Sequence, residues 1–202
     1  MIPHFPLVPY ANIPDIIPPA FERRFTPRAD SQFLLWLSEQ TTANIVEIGC
    51  ADGLTTYQLA VHNPHKVVYA VDIGDTAEMA AMQQKNETPA TGEVCKLAVG
   101  LPNVQLIIRD SKLVNYADFK DVSMVFIDGN HTYEGVKADT HLAMRALMRS
   151  KFDAKFVAWH DYCEGPHPVG WLKVGEYLRA EIDGLFDVFF VPGTSVAFCR
   201  VP

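Results

Sequence analysis

The stretch from Ile45 to Thr56, reading I-V-E-I-G-C-A-D-G-L-T-T, constrains the fold more than any other part of this chain. Ile45, Val46 and Ile48 form a short β-type apolar run. Gly49 and Gly53 allow tight turns and close approach of another backbone or a ligand. Leu54, Tyr57 and Val61 then recur at helical spacing. A strand that turns through glycine into a helix leaves free N–H groups at the helix start, a geometry suited to a nucleotide-like ligand. Glu47 adds a carboxylate at the strand end, and Cys50 lies inside the turn. The same turn also occurs in ordinary α/β proteins that bind nothing.

The rest of the chain alternates in the same way. Strands are expected at about 44–49, 66–71, 104–108, 122–127 and 156–159. Helices are expected at 30–40, from the glycine turn to His62, at 76–86 (broken by Thr88-Pro89), at 132–148 and at 169–181. Two β runs, 185–191 and 195–200, joined by Pro192-Gly193, read as a hairpin. Alternation predicts a doubly wound, mostly parallel, Rossmann-like sheet with helices on both faces and an antiparallel last strand. Residues 1–28 hold seven of the fourteen prolines and cannot be helix or central strand. They also carry Phe5, Leu7, Val8, Tyr10, Ile13, Ile16, Ile17 and Phe21, too apolar a set for a free linker. We expect a proline-rich N-terminal arm over 1–28, packed on the domain or on a neighbouring subunit of a homo-oligomer, and a single domain over 29–202.

Bulk properties narrow the function. A net charge of −7 with no Lys/Arg run argues against nucleic acid and anionic membranes as partners. The four cysteines, Cys50, Cys95, Cys163 and Cys199, form no C-x-x-C pair, so a thiolate zinc site is not expected. No apolar run reaches spanning length, and the start M-I-P-H-F-P lacks the pattern of a signal peptide. A cytoplasmic protein with reduced thiols is the default.

The glycine turn does not fit a dinucleotide fingerprint. Counted from Gly49, the second and third positions of G-x-G-x-x-G fall on Ala51 and Leu54. That disfavours an NAD-type oxidoreductase. Glu47 and Asp52 would also repel a pyrophosphate. The pattern present, E-x-G-x-x-x-G, resembles motif I of the class I S-adenosylmethionine (SAM) methyltransferases, with Ala51 where a middle glycine often falls. Acids end strand after strand: Glu47, Asp72, Asp110, Asp128 and Asp161. Carboxyl ends form the binding crevice of such sheets. The segment V122-S-M-V-F-I-D-G-N-H-T-Y-E-G-V-K-A-D139, followed by F156-V-A-W-H-D161, resembles the signature of methyltransferase family 24, small bacterial class I enzymes. The resemblance covers roughly residues 40–200 and implies a seven-stranded sheet.

It further implies SAM as cofactor and transfer of a methyl group to a small-molecule acceptor, most simply a hydroxyl. Glu47, Gly49, Cys50 and Gly53 would line the methionine and ribose side. Asp72 would accept from the ribose hydroxyls, and Asp110 with Ser111 would lie by the adenine. Asp110 equally fits a helix cap ahead of Lys112. Asp128 would serve both cofactor and catalysis, with His131 as general base. Related O-methyltransferases hold a divalent cation at the ends of strands four and five, here Asp128, His160 and Asp161. Carboxylates suit magnesium, and an imidazole shifts preference toward manganese, iron or zinc. The competing reading of His160-Asp161 is a loop cap with no cation. A catalytically inactive, SAM-binding or scaffold protein of this fold is the competing reading of the whole chain.

Overall fold

The computed structural model describes residues 9–16, 26–74, 94–166, 170 and 172–202. Helix α1 (Arg28–Glu39) precedes β1 (Asn44–Ile48), α2 (Leu54–His62) and β2 (Val68–Asp72). Then follow β3 (Val104–Ile108), β4 (Val122–Ile127), α3 (Tyr133–Met148) and β5 (Lys155–Trp159). The chain ends with α4 (Val174–Tyr177), which widens into a π turn over Leu178–Ile182, and with β6 (Val188–Phe190) and β7 (Ala197–Val201). The expected helix at 76–86 and its Thr88-Pro89 break lie outside the described residues.

The seven strands form one sheet in the order β3-β2-β1-β4-β5-β7-β6. The first five pair in parallel, and β7 runs antiparallel between β5 and β6. Strand side chains alternate between two cores, as the period of two demands. Val125, Ile127 and Trp159 pack with Val136, Ala143 and Leu147 of α3. Met124, Phe126 and Ala158 pack with Phe33, Leu34 and Leu37 of α1 and Leu59 of α2. Continuous apolar strands are therefore buried on both faces, as parallel sheets require.

Several boundaries differ from the sequence reading, each for a local reason. β2 starts at Val68 rather than at residue 66. The Lys66 ammonium instead caps the end of α1, donating to Ser38 O at 2.5 Å and Thr41 O at 2.8 Å. The last helix begins at Val174 because the Lys173 N–H is held by His131 O at 2.8 Å. The second β run begins at Ala197 because Ser195 belongs to the turn and bonds to Asp30 on α1.

Residues 9–16 pack on their own chain. Tyr10 stands edge-on to Phe33 at 5.7 Å and donates to Pro192 O at 3.0 Å. Gln32 donates to Ile13 O at 2.7 Å and Gln58 to Ile16 O at 2.8 Å. Among the described residues, no helix is long and apolar enough to cross a membrane.

Candidate active site

The carboxyl edge of the parallel strands is built by backbone first. The Gly49 N–H donates to Val71 O, Asp128 N–H to Ile48 O and His160 N–H to Ile127 O, at 2.8, 2.8 and 3.0 Å. These bonds carry the ladder one residue past the strands and set Gly49, Asp128 and His160 side by side. Gly49 has φ +88, and a Cβ there would lie 2.5 Å from the Asp128 carbonyl carbon and 2.6 Å from Gly129 Cα. The first glycine is thus required by the approach of β4.

Asp72 clasps the turn that follows. Its Oδ2 accepts from Ala51 N–H at 2.9 Å and its Oδ1 from Gly74 N–H at 3.0 Å. It remains on the wall of an open cleft of about 860 Å³, solvent at the mouth included. Gly49, Ala51, Asp72, Asp110, Ser111, Asp128 and Asn130 are among its lining residues, and Ile48, Val71 and Ile73 give it an apolar side. Asp110 caps a short 3-10 turn, accepting from Lys112 N–H at 2.9 Å. Ser111 donates to Asp139, which lies beneath Gly129. Burial pushes the Asp139 carboxyl up to about 6, only partly offset by the Ser111 hydroxyl.

At the far end of the cavity Asp128 joins a cluster. His131 Nε2 lies 3.1 Å from Asp128 Oδ1 and 3.3 Å from Asp161 Oδ2. His160 Nδ1 lies 3.2 Å from Asp128 Oδ1 and 3.5 Å from Asp161 Oδ1. The other ring nitrogen of His160 is 2.9 Å from Asp30 Oδ2. Burial alone would raise Asp128, but the two imidazoles hold its carboxyl well below the usual range. Burial would lower both histidines, yet the neighbouring carboxylates outweigh it and hold both imidazoles above their usual value. Oxygen and nitrogen atoms of Asp128, His131 and Asp161 all fall within 4.8 Å of one another, close enough to share one cation.

A family model described as a methyltransferase domain, family 24, matches residues 46–162, more than half of the chain. The chain belongs to this methyltransferase family. Its fold is that of class I SAM-dependent methyltransferases. A methyltransferase of Podospora anserina, PaMTH1, solved with S-adenosylhomocysteine (SAH), is 16% identical, with a TM-score of 0.62 over 88% of this chain and 80% of that one. A Staphylococcus aureus protein assigned as a caffeoyl-CoA O-methyltransferase is also 16% identical, with a TM-score of 0.61 over 92% and 86%. CalS11, a TDP-rhamnose 3'-O-methyltransferase of calicheamicin biosynthesis, is 15% identical, with a TM-score of 0.53 over 83% and 76%. No curated protein sequence matches the chain.

In this methyltransferase domain the expected site residues divide into three groups. Gly49, Asp72, Asp110, Ser111 and Asp128 meet on one cavity. Glu47 and Cys50 turn inward instead. Glu47 accepts from Thr56 in the core, where burial raises its carboxyl well above the usual range. The Cys50 thiol packs with Cys95, Ala70 and Ala98. Gly53 opens α2 with φ +89, its α-carbon facing Cys95 rather than the cavity. In the third group His160 Nδ1 faces both Asp128 and Asp161, but the three residues whose donor atoms lie close enough to share one cation are Asp128, Asp161 and His131, the residue expected as base.

Two contributors, Asp30 and Ser195, escaped the sequence reading, and Asp139 entered it only as the last residue of the family signature. Asp139 carried a signal, a carboxylate on the stripe of Val136, Thr140 and Ala143 that should be apolar. Asp30 had the same kind of signal, an acid adjoining the apolar positions Phe33, Leu34 and Leu37 of α1. Ser195 had none.

Proposed function

We propose that the chain is a SAM-dependent O-methyltransferase acting on a small-molecule hydroxyl. The observation that carries this reading is the double placement of Asp128, on the wall of the cavity and at the centre of the His/Asp cluster. A ligand in the cavity would have its reactive end beside that cluster. The lining is also chemically suited to SAM. Four acids, Asp72, Asp110, Asp128 and Asp139, outnumber Arg109 and Lys112, a balance that repels a polyphosphate and favours a ligand bearing a sulfonium.

SAM, when bound, would supply an electrophilic methyl for in-line displacement by the acceptor oxygen. Asp72 has one lone pair free on each oxygen after its backbone bonds and is the acceptor for two adjacent ribose hydroxyls. Asp110 and Ser111 flank the adenine end, and Asp128 holds the cationic end. Asp128 and Asp161, with one imidazole facing them, form a donor set that fits a divalent cation. Such a cation would lower the pKa of the acceptor hydroxyl. Where His160 supplies that imidazole, His131 is the candidate base, once its Nε2 has given up the hydrogen it directs at Asp128 and Asp161.

Titration calorimetry with SAH tests the cofactor half, and a screen of hydroxyl acceptors with SAM and manganese or magnesium tests transfer. Absence of SAH binding to the folded protein would refute the proposal. SAH binding without transfer to any acceptor would leave a SAM-binding protein without turnover.

A further inference from the structure

Asp30 is a fully buried acid on the first turn of α1, outside the residues that the family model matches. Its Oδ2 takes three contacts: His160 Nε2 at 2.9 Å, Ser195 Oγ at 2.5 Å and Ser195 N–H at 3.3 Å. Its Oδ1 is buried with no hydrogen-bond partner among the described residues. A carboxylate held dry with half its acceptors unused costs folding free energy. Packing does not require it, since Phe33, Leu34 and Leu37 already seat α1 on the sheet. The cost must be offset by what Oδ2 does.

We propose that Asp30 is a positioning residue that fixes the His160 ring for the acceptor site. The χ2 torsion of histidine is soft and roughly two-fold, so the ring at the end of β5 has two orientations of similar intrinsic energy. One puts Nδ1 toward Asp128 and Asp161, and the other puts a carbon there. An ionised carboxylate can only accept, so Nε2 carries a hydrogen and is tied to Asp30. That bond selects the first orientation and leaves Nδ1 facing the acids at 3.2 and 3.5 Å. Outer partners of this kind fix both tautomer and ring angle of a working histidine. Ser195 holds the carboxylate from the other side. The β6–β7 turn is in turn tied to the loop after Asp161, because Tyr162 N–H donates to Ser195 O at 2.9 Å. Helix α1 and the last hairpin thus complete a site whose reacting groups come from β4 and β5.

This inference rests on the proposed methyl transfer for its purpose, but not for its test. Asp30 is absent from the cavity wall, so SAH affinity is an independent control. The first measurement uses the unaltered 202-residue chain with ¹⁵N-labelled histidine, the His160 signals being identified from a His160→Gln variant. We expect a protonated, exchange-protected Nε2. An unprotonated Nε2 in the parent overturns the proposal whether or not the protein methylates anything. Asp30→Leu removes the carboxylate acceptor and leaves Nε2–H only the longer contact to Ser195 Oγ at 3.3 Å, whereas Asp30→Asn keeps a carbonyl oxygen for it. Asp30→Leu should lose the protected signal and lower both manganese uptake and turnover by about 10- to 100-fold, the range for outer partners of ligating histidines. SAH affinity should stay within about twofold, since this control reads a cofactor interaction that Asp30 does not make. Asp30→Asn should recover most of the loss. Retention of the signal in Asp30→Leu, failure of Asn to rescue, or an equal loss of SAH binding would each overturn the positioning role.

Discussion

Replacing Gly49 by Ala isolates the contact on which the cofactor side of the site depends. Two costs add at this position. An L side chain at φ +88 pays about 1–2 kcal/mol for the left-handed backbone. The new methyl also drives into the backbone of Asp128 and Gly129, which no rotamer can relieve. Overpacking of this kind costs about 1–3 kcal/mol. Together they predict a loss of roughly 2–5 kcal/mol, or roughly 4–20 °C in Tm for a chain of this size. Gly184→Ala supplies the reference. Gly184 has φ +96 but open space where its Cβ would stand, so it carries the first cost alone. Thermal or urea unfolding of the parent and both variants gives the difference directly. Gly49→Ala should be the less stable by about 1–3 kcal/mol, the overpacking cost alone. SAH titration should show weakened binding only for Gly49→Ala, because relief of the clash moves the cavity wall. A Gly49→Ala protein as stable as Gly184→Ala, with parental SAH affinity, would show that β1 and β4 are not locked together at this point.

The other expectations concern single side chains. Asp72→Ala removes the ribose acceptor and should weaken SAH binding by about 1.5–3 kcal/mol, roughly 10- to 150-fold; calorimetry showing unchanged affinity in the folded variant would reject that role. Asp139 binds its proton more tightly folded than unfolded, so its stabilising contribution is full below about pH 4 and is lost as pH rises through about 6. Asp139→Asn should therefore raise stability at about pH 8 by up to about 3 kcal/mol and change little at about pH 4, and equal urea midpoints at both would contradict it. Asp128→Asn should abolish manganese uptake in equilibrium dialysis, while uptake equal to the parent's would place the cation elsewhere. His131→Ala should cut turnover strongly and leave SAH affinity intact; wild-type turnover would reduce His131 to a loop residue.

The parallel half of the fold was legible because its signals are local. β3 and β4 fall on the residues expected, since each is a short apolar run bounded by turn residues or acids. Asp72, Asp110 and Asp128 could be placed on one crevice because topology brings strand ends together. The cluster at Asp128 was legible only in part. That His131 and His160 face the same carboxylate follows from the loop after β4 folding back over β5, which no spacing rule contains. The Asp30–His160 contact joins residues 130 apart in sequence. It depends on how α1 lies across the sheet, a packing outcome rather than a pattern. The π turn at Leu178–Ile182 was likewise invisible, since L-R-A-E-I carries no glycine or proline to mark it.

The strand order also imposes an order of assembly. Among the described strands β6 pairs with β7 alone, yet it precedes β7 in the chain. β6 has no ladder to join until β7 has inserted beside β5, whereas the five parallel strands can pair as they appear. The wall of the cavity can therefore close while the Ser195 turn is still loose. A late, non-local docking step of this kind is slow and leaves a strand edge open. Here the exposed edge is β5, with Trp159 paired opposite Ala197. Its indole packs in the core that Ala197 completes and so reports on that pairing, and the two halves of the sheet differ in when they can close as well as in what they carry.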